Sequence, residues 1–249
     1  MLAIKSVNHV NPLIKLCMQQ NPGNYTDGSK LRIMLTGASG FVGEGVLLAA
    51  LAHPAVEEIL MINRRHQNIQ HAKLKELIVP DLFQIESFQE HLGGYNACFF
   101  CAGISSVGMN EESYTRITYD MTMQFAQTLV RVNPRMVFNF VSGSHTDSSE
   151  KGKVMWARVK GKTENALVKL PFQSEYNFRP GGMLPVARQQ HVKPFYKFIV
   201  KILKFLIPKK IVSLQELSLA MINATTKGYP KQILEIVDIK ELADAGNTK

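Results

Sequence analysis

Three glycines spaced three residues apart, Gly37, Gly40 and Gly43, are the residues whose type and spacing most clearly indicate chemistry. They lie between two apolar runs, Leu31 to Leu35 and Val46 to Leu51. A strand that enters a glycine turn and then a helix directs backbone N–H groups at a diphosphate, as in a dinucleotide. The first glycine permits a tight turn, the second lets the backbone approach the phosphates, and the third lets the helix pack closely. We therefore expect cofactor contacts from Gly37, Ser39, Gly40, Phe41, Val42 and Gly43.

The residues after the second predicted strand bear on which dinucleotide binds. An NAD-specific site usually has an acid there, which binds the ribose 2′-hydroxyl. This sequence has Asn63, Arg64 and Arg65 instead, and guanidinium groups make bidentate contacts with phosphate. The two arginines therefore favour NADP over NAD, the alternative being a solvated, charged turn.

Strands alternate with helices along most of the chain. This alternation predicts an α/β fold with a doubly wound parallel sheet, the Rossmann fold. Ligands of such sheets bind beyond the carboxyl ends of the strands, so we also expect a cofactor contact from Asp81, which follows the third predicted strand. The expected organisation is an N-terminal extension, 1–30, and a single NAD(P)-binding domain, 31–249, in which 183–235 contributes a small substrate-side lobe. The predicted strands are Leu31–Leu35, Glu58–Asn63, Lys75–Val79, Asn96–Cys101, Met136–Val141 and Glu175–Phe178, and the predicted helices include 111–130 and 154–168.

The run from Thr36 to Gly43 resembles the start of an extended or atypical short-chain dehydrogenase/reductase, a group that includes proteins similar to NAD-dependent epimerases and dehydratases. The likeness covers about Leu31 to Leu242, and its nearest branch is that of the Tat-interacting oxidoreductase. Cys101-Ala102-Gly103 resembles the family's cofactor-wall motif, and Arg179-Pro180-Gly181 resembles the segment beside the nicotinamide. The resemblance thus implies cofactor contacts from Ala102, Gly103, Pro180 and Gly181.

The family's catalytic residues are a Tyr-x-x-x-Lys pair, on one face of a helix, and a serine at the end of the fifth strand. The resemblance implies that Lys160 is the lysine, which holds the cofactor ribose, and that Ser144 is the serine, with Ser142 as the other candidate. The tyrosine position holds Trp156. An indole N–H donates a hydrogen bond but is not a general acid or base near neutral pH.

The tryptophan leaves three hypotheses open. Another group supplies the proton, His145 being the first candidate because an unperturbed imidazole titrates near neutrality, and Tyr114 or Tyr119 being weaker ones. Alternatively, the protein transfers hydride slowly, or to an acceptor that needs little acid catalysis. In the third hypothesis it binds the cofactor without turnover, as a sensor or interaction module.

Basic charge is concentrated in the C-terminal part of the chain. Residues 1–150 contain 11 basic and 13 acidic side chains, whereas residues 151–249 contain 18 basic and seven acidic ones. An anionic small-molecule substrate would suit this excess. Segment 192–210 combines a lysine stripe with a wide apolar face, which is typical of a substrate-pocket or homodimer helix, or of a peripheral membrane contact. No nucleic-acid-binding motif is evident.

Two cysteines, Cys98 and Cys101, form a C-x-x-C pattern that metal or redox sites also use. They fall in a predicted buried strand, where residues three apart point to opposite faces, so we interpret them as core residues and expect no metal site. With three cysteines in the chain, and without the apolar core of a secretory signal at the N-terminus, we expect a reducing, cytoplasmic location.

Overall fold

The computed structural model describes residues 30–190 and 210–245. The predicted N-terminal extension and the basic apolar segment fall almost entirely outside these residues. Within the described part, seven strands form a parallel sheet in the order β3-β2-β1-β4-β5-β6-β9, and β7 and β8 form a second, two-stranded sheet. The strands are β1 (Leu31–Thr36), β2 (Val56–Asn63), β3 (Leu74–Ile78), β4 (Ala97–Phe100), β5 (Val137–Val141), β6 (Ser174–Phe178), β7 (Gly182–Leu184), β8 (Ile211–Ser213) and β9 (Ile233–Leu234).

Helices cover both faces of the large sheet. The α-helices are α1 (Phe41–Leu51), α2 (Glu111–Thr115), α3 (Met121–Val132), α4 (Met155–Leu167), α5 (Leu214–Lys227) and α6 (Ile236–Asp244). Apolar side chains of α1, α5 and α6 pack on one face, and those of α3, α4 and a 3₁₀ segment (Leu82–His91) pack on the other. This arrangement confirms the predicted doubly wound fold.

Strand β1 shows why the central strands are continuous apolar runs. Ile33 and Leu35 face the core that contains α1, whereas Met34 faces the opposite core, and all three are fully buried. Successive side chains of a strand point to opposite faces, so a strand covered on both faces must be apolar throughout. The same strand pairs with β2 on one side and β4 on the other. The strand order switches here, because β2 and β3 lie on one side of β1 and β4 to β6 lie on the other, and such a switch point opens a crevice for a ligand.

Several features of the fold differ from the sequence prediction, and the two-stranded sheet of β7 and β8 is one that was not predicted. The helix predicted over 111–130 contains a π-helical turn, Arg116–Asp120, between α2 and α3. The two-residue strand β9 completes the sheet beside β6 and was not predicted, since it is too short for a periodic pattern. In the described part of the chain, no helix combines the length and apolar character needed to cross a bilayer.

Candidate functional site

The glycine turn after β1 is closed too tightly for side chains at two of its positions. Gly37 has a φ of +75°, and a Cβ atom there would lie 2.6 Å from the carbonyl oxygen of Cys101. A Cβ atom on Gly43 would lie 2.2 Å from the carbonyl oxygen of Gly37. Helix α1 therefore begins directly against the end of β1, with Gly40 at its N-cap position. Gly40 has no side chain to cap the helix, so the partial positive charge of the helix N-terminus is open to an anion.

A cavity of about 840 Å³ extends from this turn along the carboxyl ends of the strands. Its size is within the range of cofactor sites. The glycine cradle and the cavity together fit a dinucleotide, which would place its diphosphate at the helix N-terminus. Eleven of the residues proposed from the sequence line the cavity: Gly37, Ser39, Gly40, Phe41, Val42, Gly43, Arg64, Asp81, Ala102, Gly103 and Lys160.

At the β2 end of the cavity, Arg64 lines the wall but Arg65 does not. Both side chains are exposed, and neither forms an ion pair with a described residue. The neutral side chain of Asn63 is buried and also lines the cavity. The Asp81 carboxylate accepts a hydrogen bond from the Phe83 backbone N–H at 3.0 Å, which caps the 3₁₀ segment. This end of the cavity therefore offers one basic side chain, Arg64, that is unpaired among the described residues, while the carboxylate of Asp81 is engaged in capping the 3₁₀ segment.

At the other end, Ser142 and Lys160 line the cavity beside Val141. The Lys160 ammonium donates a hydrogen bond to the Val141 carbonyl oxygen at 3.4 Å and lies 5.5 Å from the centre of the Phe140 ring. Burial lowers the pKa of Lys160 to about 8, although Glu164 opposes that shift. The Ser142 hydroxyl is 3.1 Å from that of Thr146. A lysine with this pKa exchanges a proton readily near neutral pH.

Four residues proposed for this end of the site do not line the cavity: Ser144, His145, Pro180 and Gly181. The Ser144 backbone N–H donates to the Pro180 carbonyl at 3.0 Å, so the loops after β5 and β6 are joined to each other. His145 has a φ of +68°, and its side chain is exposed. The serine at the cavity is thus Ser142, because the loop turns away from the crevice after that residue.

Trp156 and the two tyrosine candidates for proton transfer, Tyr114 and Tyr119, are not among the residues that line the cavity. Trp156 is half-buried in the first turn of α4. Its Cζ3 atom would lie 3.8 Å from a Cβ atom added to Gly143, so the indole ring packs close to this glycine. Tyr114 is buried, which raises the pKa of its hydroxyl. The Tyr119 ring lies 4.3 Å from the Lys162 ammonium. Among the described residues, Lys160 is the only side chain lining the Ser142 end of the cavity that titrates near neutral pH.

Residues 33–163 match the NAD dependent epimerase/dehydratase family, and this match covers more than half of the chain. The chain belongs to that family. Curated relatives include the mitochondrial proteins fmp52-1 of Aspergillus terreus, 25% identical over 155 residues, and FMP52 of Candida albicans, 25% identical over 167 residues. The first alignment covers 60% of this chain and 65% of the relative, so it spans less than two thirds of that protein.

Solved structures of epimerases and related enzymes share the fold. Helicobacter pylori ADP-L-glycero-D-manno-heptose-6-epimerase has a TM-score of 0.62 at 13% identity, covering 88% of this chain and 83% of that one. The Bordetella bronchiseptica enzyme WbmF, solved in complex with NAD+, has a TM-score of 0.61 at 12% identity, covering 90% and 81%. The family match therefore places the chain among the NAD dependent epimerases and dehydratases, and these neighbours show that it shares their Rossmann fold.

The prediction of a cytoplasmic location is wrong. The curated relatives of this epimerase-family chain are named as mitochondrial proteins. The prediction failed because a low cysteine content indicates a reducing environment, and reducing conditions are not confined to the cytoplasm.

Arg179, in the segment expected beside the nicotinamide, lies instead in the protein interior. Its guanidinium donates to both carboxylate oxygens of Glu164, at 3.1 and 2.5 Å, and to Glu235 at 3.1 Å. A fourth hydrogen bond, 2.6 Å long, reaches the Ser148 hydroxyl. Glu164 is one turn after Lys160 on α4, and Glu235 precedes α6. Arg179 therefore fastens the helix that carries Lys160 to the end of β6.

Glu175, four residues before Arg179, is a buried carboxyl group of β6. Its Oε2 atom accepts a hydrogen bond from Asn177 at 3.0 Å, and its Oε1 atom has no partner among the described residues. Burial and the nearby Glu164 carboxylate raise its pKa well above 4.5. Folding therefore favours the protonated form of this carboxyl group.

We expect Glu175→Gln to make the free energy of unfolding less dependent on pH. Because the folded-state pKa is the higher one, the stability that this group adds is full below its unfolded pKa and declines as pH rises towards its folded pKa. Urea unfolding at pH about 5 and about 8 measures the decline in the free energy of unfolding. The contribution of Glu175 to this decline should be absent in Glu175→Gln, because an amide does not titrate. The exposed Glu112→Gln variant is the control, and an equal decline in all three proteins would contradict the assignment.

The two cysteines of the C-x-x-C pattern are free thiols in the core region. Cys98 is fully buried and Cys101 is half-buried at the end of β4. Burial raises the pKa of Cys101 to about 12 and that of Cys98 in the same direction. Both are therefore protonated at neutral pH, and a protonated thiol is a poor nucleophile and metal ligand.

Proposed function

We propose that this protein is an NADP-preferring oxidoreductase of the atypical short-chain type, in the branch similar to the Tat-interacting oxidoreductase, that acts on a small-molecule substrate. The observation that carries the proposal is that Ser142 and Lys160 line the same end of the cavity whose other parts suit a dinucleotide. A bound nicotinamide would supply or accept hydride there. The chain must then supply a proton, a hydrogen bond for the substrate oxygen and a site that orients both molecules.

In this proposal Lys160 replaces the missing tyrosine as the proton donor. Its ammonium group loses a proton more readily than an exposed lysine does, because burial disfavours the charged form. The Ser142 hydroxyl donates a hydrogen bond to the same substrate oxygen. His145 is the second candidate for the proton donor, but it is exposed and does not line the cavity.

The preference for NADP rests on Arg64. This side chain lines the β2 end of the cavity, it pairs with no described acid, and the neighbouring Asn63 has no charge to repel a phosphate. A guanidinium beside the ribose stabilises a 2′-phosphate through charge-assisted hydrogen bonds that a 2′-hydroxyl makes only weakly.

We expect Arg64→Ala to weaken NADPH binding by about 10- to 100-fold and NADH binding by less than about twofold, because a hydrogen bond to a charged group contributes roughly 1.5–3 kcal/mol. Arg65→Ala is the matched control, since Arg65 is adjacent but does not line the cavity, and it should leave both affinities nearly unchanged. Calorimetric titration measures the affinities of the unmodified protein and both variants for NADPH and for NADH. The NADP preference fails if the unmodified protein binds NADH as tightly as NADPH.

A second candidate function is a non-catalytic module that binds NADP as a sensor or interaction domain. Trp156 favours it, since an indole cannot take the part of the family's tyrosine. Incubation with NADPH and a panel of aldehydes and ketones separates the two functions. Oxidation of NADPH that depends on one of these carbonyl compounds supports the oxidoreductase, whereas tight NADPH binding without oxidation supports the module.

A further inference from the structure

The loop that carries Arg64 is hydrogen-bonded to a carboxylate on the neighbouring strand β3. Glu76 lies in β3, opposite Met61 of β2. Its Oε1 atom accepts hydrogen bonds from the Asn63 side-chain amide at 3.3 Å and from the Gln67 backbone N–H at 2.9 Å. Its Oε2 atom contacts the Nδ1 atom of His66. One carboxylate thus binds the residues on both sides of the Arg64–Arg65 pair.

Glu76 does not itself line the cavity. Burial alone would raise the pKa of its carboxyl, but the hydrogen bonds from Gln67, His66 and Asn63 lower it, so the group is ionised at neutral pH. The backbone adds a further contact, because the Val79 N–H donates to the Asn63 carbonyl oxygen at 2.8 Å. The start of the loop is therefore fixed by its backbone, and the part beyond Arg65 depends on Glu76.

We infer that Glu76 is a positioning residue for cofactor choice, which holds the loop from Asn63 to Gln67 so that Arg64 faces the ribose 2′-phosphate. The inference rests on the proposed preference for NADP. A long arginine side chain on an unrestrained exposed loop loses more conformational freedom on binding than one on a fixed loop. Loss of the Glu76 contacts should therefore weaken recognition of the 2′-phosphate and spare the rest of the cofactor.

Two small probes isolate this end of the site. Adenosine 2′,5′-bisphosphate contains the 2′-phosphate, and 5′-AMP has the same base and sugar without it. We expect the unmodified protein to prefer the bisphosphate, and Glu76→Ala to weaken bisphosphate binding about tenfold while 5′-AMP binding changes less than about twofold. Glu76→Gln keeps one acceptor oxygen for Asn63 and Gln67. Its affinity for the bisphosphate should therefore lie between those of the unmodified protein and of Glu76→Ala. Glu57→Ala, at an exposed position of β2, is the control and should bind both probes normally.

Calorimetry and urea unfolding of each variant distinguish the outcomes. Equal weakening of both probes by Glu76→Ala would show a general structural role and overturn the inference. Unchanged preference in a folded Glu76→Ala protein would also overturn it while leaving the proposed NADP preference intact. If the unmodified protein does not distinguish the two probes, the NADP preference and this inference both fall. If Glu76→Ala does not fold, Glu76→Gln decides by the same criteria.

Discussion

Replacement of Lys160 by methionine is expected to lower NADPH-dependent turnover by about 10²- to 10⁴-fold, the usual contribution of a general acid. Methionine retains much of the side-chain volume but has neither the charge nor the proton. Steady-state rates with the best carbonyl substrate measure the effect. Lys162→Met is the matched control, because Lys162 is exposed on the same helix and lies over the Tyr119 ring rather than at the cavity.

The pH profile identifies the proton donor. Since the pKa of Lys160 is about 8, its ammonium form predominates below that pH. Carbonyl reduction needs this form, so kcat for reduction should be high below pH about 8 and decline above it, and oxidation of the alcohol should show the opposite trend. Lys160→Arg keeps a positive charge that holds its proton, and it should retain cofactor binding without turnover. Full activity in Lys160→Met, together with loss of activity in His145→Ala, would transfer the role to His145.

Replacement of Arg179 by methionine is expected to lower the free energy of unfolding by about 3–5 kcal/mol, because it leaves the Glu164 carboxylate buried without its partner. Only 1% of the Glu164 side chain is exposed. Urea unfolding measures the loss. The double variant Arg179→Met with Glu164→Leu should recover much of it, since replacing both members of a buried pair removes the unpaired charge.

Arg131→Met is the control for this effect. Arg131 pairs with Glu86 at 3.1 Å, and 54% and 62% of the two side chains are exposed, so solvent screens the pair and stability should remain close to that of the unmodified protein. If Arg179→Met is no less stable than Arg131→Met, the Arg179 pair does not hold α4 on the sheet. The same result would remove the expected link between Arg179 and the position of Lys160.

Much of the fold and of the diphosphate site follows from local sequence. The turn from Gly37 to Gly43 is recognisable because its requirements involve a few consecutive residues: a left-handed backbone, a close approach and a helix start. Strands β1 and β4 are recognisable because strands buried on both faces must be largely apolar. In both cases each residue type reports on its immediate surroundings, so no knowledge of distant contacts is needed.

The chemistry at the two ends of the cavity depends on distant contacts. Sequence spacing left Ser142 and Ser144 as alternatives, and the direction of the loop after β5 places Ser142 at the cavity. Arg179 follows a strand, which is where a site residue is expected. Its guanidinium nevertheless binds two carboxylates, that of Glu164 on α4 and that of Glu235, the residue before α6.

By itself, the sequence determined that this protein has a parallel α/β sheet with a dinucleotide cradle and lacks a tyrosine at position 156. Only the tertiary structure decided that Arg64 rather than Arg65 lines the cavity. It also decided that Glu76 binds Asn63 and Gln67, the residues that flank this pair of arginines. The physical reason is that strand pairing sets which side chains meet across the sheet. Glu76 lies 13 residues after Asn63, and no local pattern joins the two.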